Sequence, residues 1–228
     1  MIQDLHAHTY YSNCGADEPA LLVEKAIESG IALFGITDHN YGIGRRKPEY
    51  FNMLTGLREE YKDRIRLLRG IEIATVNNLC ITPDEDISYF DYCLIEHIDM
   101  PGSCVGGTGI FDFVKRCGCR AGIAHTDLFS YLKMMDIDPL EYFTRLAAQG
   151  IFWEMNMSYD SIHAYREHAY VKDFMKSEYQ QDIIRRSGMR LSVGFDSHRL
   201  AEYRGDRVKD MCAFIESIGI ALYDPSVK

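Results

Sequence analysis

Residues 1–8 read MIQDLHAH, an apolar-rich run that stops at two histidines one residue apart, His6 and His8. The same arrangement recurs along the chain. LFGITDH (33–39) stops at His39, IRLLRGIE (65–72) at Glu72, YCLIEH (92–97) at His97 and GIAH (122–125) at His125. LSVGFDSH (191–198) stops at Asp196 and His198. Read as strands, these runs deliver their polar ends to one rim. A barrel of parallel strands builds its active site in that way, from residues at the carboxyl ends of the strands.

Between the runs lie helical segments with their own signals. Pro19 opens one that stops at Gly30. Asp138-Pro139 reads as a cap followed by a first-turn proline, with Leu140, Phe143 and Ala147 at helical spacing and Gly150 as the stop. Val171 to Ser187 reads as one longer helix ending before Gly188. Asp206 reads as the cap of a last helix with Val208, Met211, Cys212 and Ile215 inward and Gly219 as its end. The expected strands are Ile2–Leu5, Leu33–Thr37, Arg66–Ile73, Asp91–Ile95, Arg120–Ala124, Ile151–Asn156 and Arg190–Phe195, with Ile220–Tyr223 as a closing or edge strand. Thr75–Phe90 reads as an excursion from the rim. Strands alternating with helices predict an α/β fold with parallel strands, and seven main strands fit a (β/α)7 barrel.

Composition sets the outer limits. The 228 residues suit a single barrel domain, and 46% apolar with 26% charged residues is ordinary for a soluble protein. No apolar run approaches the ~18 residues of a membrane span, and no basic segment followed by a long apolar one opens the chain, so a cytoplasmic protein is expected. The net charge of −9 disfavours long nucleic acid, which needs an extended basic surface, but allows a small phosphorylated substrate. Seven cysteines, an odd number scattered through apolar segments, fit a reducing compartment. Cys117-x-Cys119 has no matching second pair, which reads as ordinary thiols at a helix end.

Residues two apart on a strand share a face, so His6 and His8 can grip one metal from one side, and Asp196-x-His198 repeats the spacing. Asp38 can orient a neighbouring imidazole, Glu72 can bridge two metals through its two oxygens, and Gly70 leaves room beside it. Taken singly, each of these, like His97 and His125, reads as a surface or core residue; their shared place at strand ends points to a metal cluster.

In order, DLHAHTYYS, ITDHN, GIE, EH, AHTD and GFDSH resemble the PHP (polymerase and histidinol phosphatase) family over nearly the whole chain. The resemblance implies a distorted (β/α)7 barrel, a PHP-like TIM-type barrel, with two or three divalent metal ions (zinc, manganese or iron). The implied activity is hydrolysis of a phosphoester by metal-activated water, with Glu72, Asp196 and His198 at the chemistry. Carried over, one metal falls to His6, His8, Glu72 and Asp196, and a second to Glu72, His97 and His125. The third falls to His39, His198 and one residue after the first motif. In histidine-rich branches of the family that residue is a histidine; here it is Cys14. A thiolate suits zinc and not manganese or magnesium, so the third site is zinc-selective, or weak, or Asp17 reaches in instead.

For the phosphate, Arg199, Arg45 and Arg166 are the candidate guanidinium partners, with Arg46 and Lys47 near Arg45. His163 and His168 could meet substrate but read as surface residues, and Trp153 reads as packing. The leading expectation is a phosphomonoesterase acting on a small substrate, with histidinol-phosphatase-like chemistry. A phosphodiesterase or short-oligonucleotide nuclease, a non-catalytic metal-binding module, and a barrel amidohydrolase stand as alternatives. The amidohydrolase is weakened because no lysine closes a strand.

Overall fold

The computed structural model describes residues 1–158 and 167–225. Its centre is a seven-stranded parallel sheet in sequential order. The strands are β1 (Gln3–Asp4), β2 (Leu33–Ile36), β3 (Arg66–Ala74), β4 (Tyr92–Glu96), β5 (Arg120–Ile123), β6 (Phe152–Asn156) and β7 (Leu191–Gly194). The helices are α1 (Pro19–Glu28), α2 (Asn40–Ile43), α3 (Lys47–Glu60), α4 (Gly106–Cys117), α5 (Leu128–Met134), α6 (Pro139–Ala148), α7 (Ala169–Lys176), α8 (Glu178–Ser187) and α9 (Gly205–Ser217). The sheet curls into a barrel because β1 meets β7. Leu5 N donates to Val193 O (2.9 Å), Asp196 N to His6 O (2.7 Å) and His8 N to Ser197 O (2.8 Å). This is the expected (β/α)7 barrel.

Strands covered on both faces read as continuous apolar runs, and every residue of β4 and β6 is buried. The two faces carry different loads. Phe34, Ile36, Cys93, Ile95, Trp153 and Val193 join the large core shared with the helices. Leu33, Leu68, Tyr92, Leu94, Phe152 and Tyr223 form a separate cluster inside the barrel. Period two then carries the inner face up to the rim: Leu68 leads to Glu72, Leu94 to Glu96, and Phe152 to Glu154 and Asn156. The barrel floor is apolar and its top is acidic.

Three expected elements differ. Ile220–Tyr223 is no strand; one parallel bridge joins Leu222 to Leu191, and Tyr223 stacks on Phe152 at 4.0 Å. The segment fills the seam between β7 and β1 at the amino end, where Gln3 Nε2 donates to Tyr223 O (2.9 Å). The segment 171–187 is two helices, α7 and α8, because Ser177 turns extended and caps α8 by accepting from Gln180 N (3.2 Å). Asp206 lies inside the first turn of α9 and pairs with Arg204 instead of capping (2.7 Å). Asp138 caps α6 as expected, accepting from Glu141 N at 2.8 Å. Among the described residues no helix is long and apolar enough to cross a membrane.

Candidate metal centre

The strand ends place eight of the nine expected ligand residues around a cavity of about 220 Å³, lined by His8, Cys14, His39, Glu72, His97, His125, Asp196 and His198 together with Tyr41 and Glu96. His6, fully buried, lies beneath them. His97 and Asp196 end their strands with φ of 64° and 58°. His and Asp are among the few side chains that tolerate the left-handed region, so the chain can turn sharply there.

Glu72 is the hub. Its Oε1 lies 3.3 Å from His6 Nε2 and 3.2 Å from His125 Nε2. Its Oε2 lies 3.3 Å from His8 Nε2 and 2.9 Å from His39 Nδ1. Asp196 Oδ1 stands 3.1 Å from His8 Nε2 and 3.5 Å from His6 Nε2. Glu96, not among the expected ligands, reaches His97 Nε2 (3.2 Å), His39 Nδ1 (3.3 Å) and His125 Nε2 (3.6 Å). His97 therefore stands beside Glu96, and His39 stands beside Glu72 as well as near the third expected site.

The imidazoles are fixed from behind. His6 Nδ1 is 2.7 Å from Glu154 Oε1, so it donates there and leaves Nε2 facing the centre. Glu154 also accepts from His125 N (2.9 Å) and Asn156 Nδ2 (3.2 Å). Ser12 Oγ donates to Asp38 (2.6 Å), so it accepts from His8 Nδ1 (3.2 Å). Asp38 thus orients His8 through Ser12, and its own hydrogen bonds go to Thr9, Ser12 and Tyr50 rather than to an imidazole among the described residues. Its other bonds, from Thr9 N and Thr9 Oγ1 (both 2.7 Å) and Ser12 N (3.0 Å), hold the loop after β1. His198 Nδ1 donates to Asp196 O (2.9 Å), which turns Nε2 outward.

Gly70 does not clear space for metals. A Cβ there would meet Thr37 Cγ2 at 2.5 Å and Tyr92 Cζ at 2.7 Å, so the glycine makes room for the barrel floor. Gly194 serves the centre directly: a Cβ there would lie 2.1 Å from Glu154 Oε1 and 2.5 Å from His6 Cβ.

The PHP domain family matches residues 4–219. The chain belongs to the PHP domain family. No curated protein matches it in sequence. Among solved structures, the PHP chain is similar to histidinol phosphate phosphatase from Lactococcus lactis complexed with zinc, L-histidinol and phosphate. The two share 16% identity over 96% of this chain and 94% of that one, with a TM-score of 0.61. A candidate histidinol phosphatase from Listeria monocytogenes shares 14% identity over 88% of this chain and 96% of its own, with a TM-score of 0.49. The Lactococcus likeness establishes the fold.

The PHP centre fits divalent metal ions on its own evidence. Ligand atoms 2.0–2.1 Å from a tetrahedral zinc lie about 3.3 Å apart. The separations of His6 Nε2, His8 Nε2, Glu72 and Asp196 run from 3.0 to 3.5 Å. His39 Nδ1, Glu72 Oε2 and Glu96 Oε1 are buried without a hydrogen-bond partner, which is costly unless something else satisfies them. Charge says the same. Glu72, Glu96, Glu154 and Asp196 are all buried, and four clustered carboxylates demand positive charge. Burial opposes a proton on His6, yet Glu154, Glu72 and Asp196 hold its pKa well above the ordinary value. Burial likewise opposes a charged His125, and Glu72 and Glu96 still push it up to about 9. Burial works against ionised Glu72 and Asp196, but the surrounding histidines keep both well below the usual carboxylate range.

The expected phosphate partners are not gathered here. Arg45 and Arg199 are exposed and do not line the cavity. Arg46 stacks over Tyr11 (5.0 Å), and Lys47 is paired with Glu85 (2.7 Å). Arg166 and His163 lie outside the described residues. His168 is not a surface residue: it is half-buried with its ring stacked on His125 at 5.8 Å. Trp153 packs as expected, donating to Thr126 O (3.0 Å). Asp17 does not reach in; its Oδ2 accepts from Leu200 N (2.6 Å).

Proposed function

We propose that this PHP protein is a metal-dependent phosphoesterase that hydrolyses a small phosphomonoester. The observation that carries the reading is the position of Glu72, whose Oε1 faces His6 and His125 while its Oε2 faces His8 and His39. That is the arrangement of a carboxylate shared between two cations.

His6, His8, Glu72 and Asp196 would hold one ion, and Glu72, His125, His97 and Glu96 the second. Bound there, the ions would polarise phosphoryl oxygens and supply a water nucleophile at neutral pH. The protein's part is to hold the ligands in register, through Glu154 behind His6 and Ser12 behind His8. Asp196 Oδ2 is touched by Asn156 Nδ2 at 3.4 Å, and it is the carboxylate oxygen turned away from His8 that could take a proton from water. His198, on the cavity wall, completes the proposed chemistry beside Asp196.

All ten described residues lining the cavity are His, Glu, Asp, Cys or Tyr, so among the described residues phosphate would be held by the metal ions. A cavity near 220 Å³ suits a phosphate with a compact organic part. The Lactococcus relative in fold is complexed with L-histidinol and phosphate, which supports a small phosphorylated alcohol as the substrate class.

The test is phosphate release from p-nitrophenyl phosphate against cleavage of bis(p-nitrophenyl) phosphate, with zinc or manganese added, followed by a panel of phosphorylated metabolites. Faster turnover of the monoester is expected. A preference for the diester moves the assignment to a phosphodiesterase. No hydrolysis of either, with metals bound, removes the enzyme reading.

A further inference from the structure

We infer that Asp4, held by Tyr203, is a positioning residue: it secures a register break in the barrel seam, and that break turns Asp196 towards the metal centre. The inference rests on the centre proposed above and adds the group that aims one of its ligands.

The break lies in the hydrogen bonds between β1 and β7. Leu5 N donates to Val193 O (2.9 Å), which in a parallel ladder sets Leu5 opposite Gly194. Further on, Ala7 pairs with Ser197. Two steps along one side of the seam therefore match three along the other, and the extra residue falls at 195–196. A bulge of this kind re-aims a side chain. Asp196, with φ of 58°, makes the turn, and its Oδ1 comes to 3.1 Å from His8 Nε2. The first ion would be held across this seam, by His6 and His8 from one side and Asp196 from the other.

A bulge takes backbone groups away from their ladder partners. A regular ladder would send Phe195 N to Leu5 O. Here Leu5 O accepts from the Tyr92 hydroxyl (2.8 Å), and Phe195 N donates to Asp4 Oδ1 (2.9 Å). The same Oδ1 accepts from His6 N (3.3 Å). One carboxylate oxygen thus holds the backbone of His6 and the backbone next to Asp196, the two sides of the seam. The other oxygen, Oδ2, accepts from the Tyr203 hydroxyl (2.7 Å), and the Tyr203 ring packs edge-on against Phe195 at 5.1 Å. Asp4 is fully buried and Tyr203 is buried with it, so water does not stand in for these bonds. β1 is only two residues long, which leaves the seam dependent on side-chain bonds of this kind.

The experiment measures the zinc affinity of the metal-stripped protein by chelator competition, and the visible spectrum of its cobalt(II) form. Wild type is compared with Asp4→Asn, Asp4→Ala and Tyr203→Phe. Asp4→Asn keeps an acceptor for Phe195 N and His6 N, and its amide can donate to the Tyr203 hydroxyl, so it should stay close to wild type. Asp4→Ala should lose about 10–100-fold in affinity, the cost of removing a group behind a ligand, and shift the cobalt bands. Tyr203→Phe should lose about fivefold, the worth of one ordinary hydrogen bond. A folded Asp4→Ala protein with wild-type affinity and an unchanged cobalt spectrum overturns the inference. If Asp4→Ala does not fold, wild-type affinity in Tyr203→Phe overturns it instead. An Asp4→Asn protein that loses as much as Asp4→Ala also overturns it. Wild type that binds neither ion removes the centre and the inference together. Phosphate release is scored separately: the expected affinity losses with no hydrolysis by wild type refute the phosphoesterase reading alone.

Discussion

Replacing Glu154 with glutamine tests whether the carboxylate behind His6 governs metal binding. The substitution keeps the volume and removes one acceptor. Glu154 Oε1 now takes the His6 Nδ1 proton (2.7 Å), while Oε2 takes those of His125 N (2.9 Å) and Asn156 Nδ2 (3.2 Å). An amide has one oxygen, so one of these sides must face an NH2 group. If the oxygen turns to His6, two donors confront the amide nitrogen. If it turns to His125, His6 loses its acceptor and its proton shifts to Nε2, the nitrogen aimed at Glu72 and Asp196. The first arrangement strands buried donors, at about 1–3 kcal/mol; the second protonates the His6 nitrogen that a metal would use. Expressed as metal affinity, the loss is about 10–100-fold. The assay is competition against a zinc chelator, with thermal melting of the metal-free protein as the control for folding. Affinity within twofold of wild type in a folded Glu154→Gln protein would refute the argument.

Other substitutions probe the support around the centre. Gly194→Ala drives a methyl against Glu154 and His6, so metal loss under chelation should exceed that of Glu154→Gln; retained metal content would contradict the clearance. Gly70→Ala overpacks the floor against Tyr92 and Thr37 and should cost about 1–3 kcal/mol in denaturant unfolding. Asp91 is partly buried, which raises a carboxyl pKa, but bonds from Arg69 lower it overall. A depressed carboxylate stabilises above its unfolded pKa near 4 and loses that contribution as pH falls through its lower folded value. Asp91→Asn should therefore be less stable at neutral pH by about 1.5–3 kcal/mol, with the gap closing below pH ~4. A gap that does not change with pH would contradict the ion pair with Arg69.

The barrel was legible because each strand kept its apolar run and six of the seven runs ended in a ligand-type residue. Periodicity of two also contained more than the strand ends revealed. Glu96 lies two residues beyond inward Leu94, and Glu154 two beyond inward Phe152, so each shares the inward face of its strand. An acid inside an otherwise apolar strand, as in FWEMN, signals a charge that must be partnered, and that signal was available. The break between α7 and α8 had only a local signal, Ser177 with Gln180 three residues on as a capping pair, with neither Gly nor Pro to mark it. The arginines illustrate the opposite error. Nearness in sequence to ITDHN and DSH put Arg45 and Arg199 on the right end of the barrel but did not turn them inward. Asp38 stood at the right strand end, yet its partners lie in the loop after β1, a relation that only the folded chain supplies.

Everything proposed for the centre depends on Glu72 joining two cations. Elemental analysis of the protein purified without chelators tests this most directly, paired with Glu72→Ala. Wild type is predicted to hold two or three divalent ions per chain, and Glu72→Ala to lose at least two of them together. One ion or none in wild type, or an unchanged count in Glu72→Ala, would contradict the account.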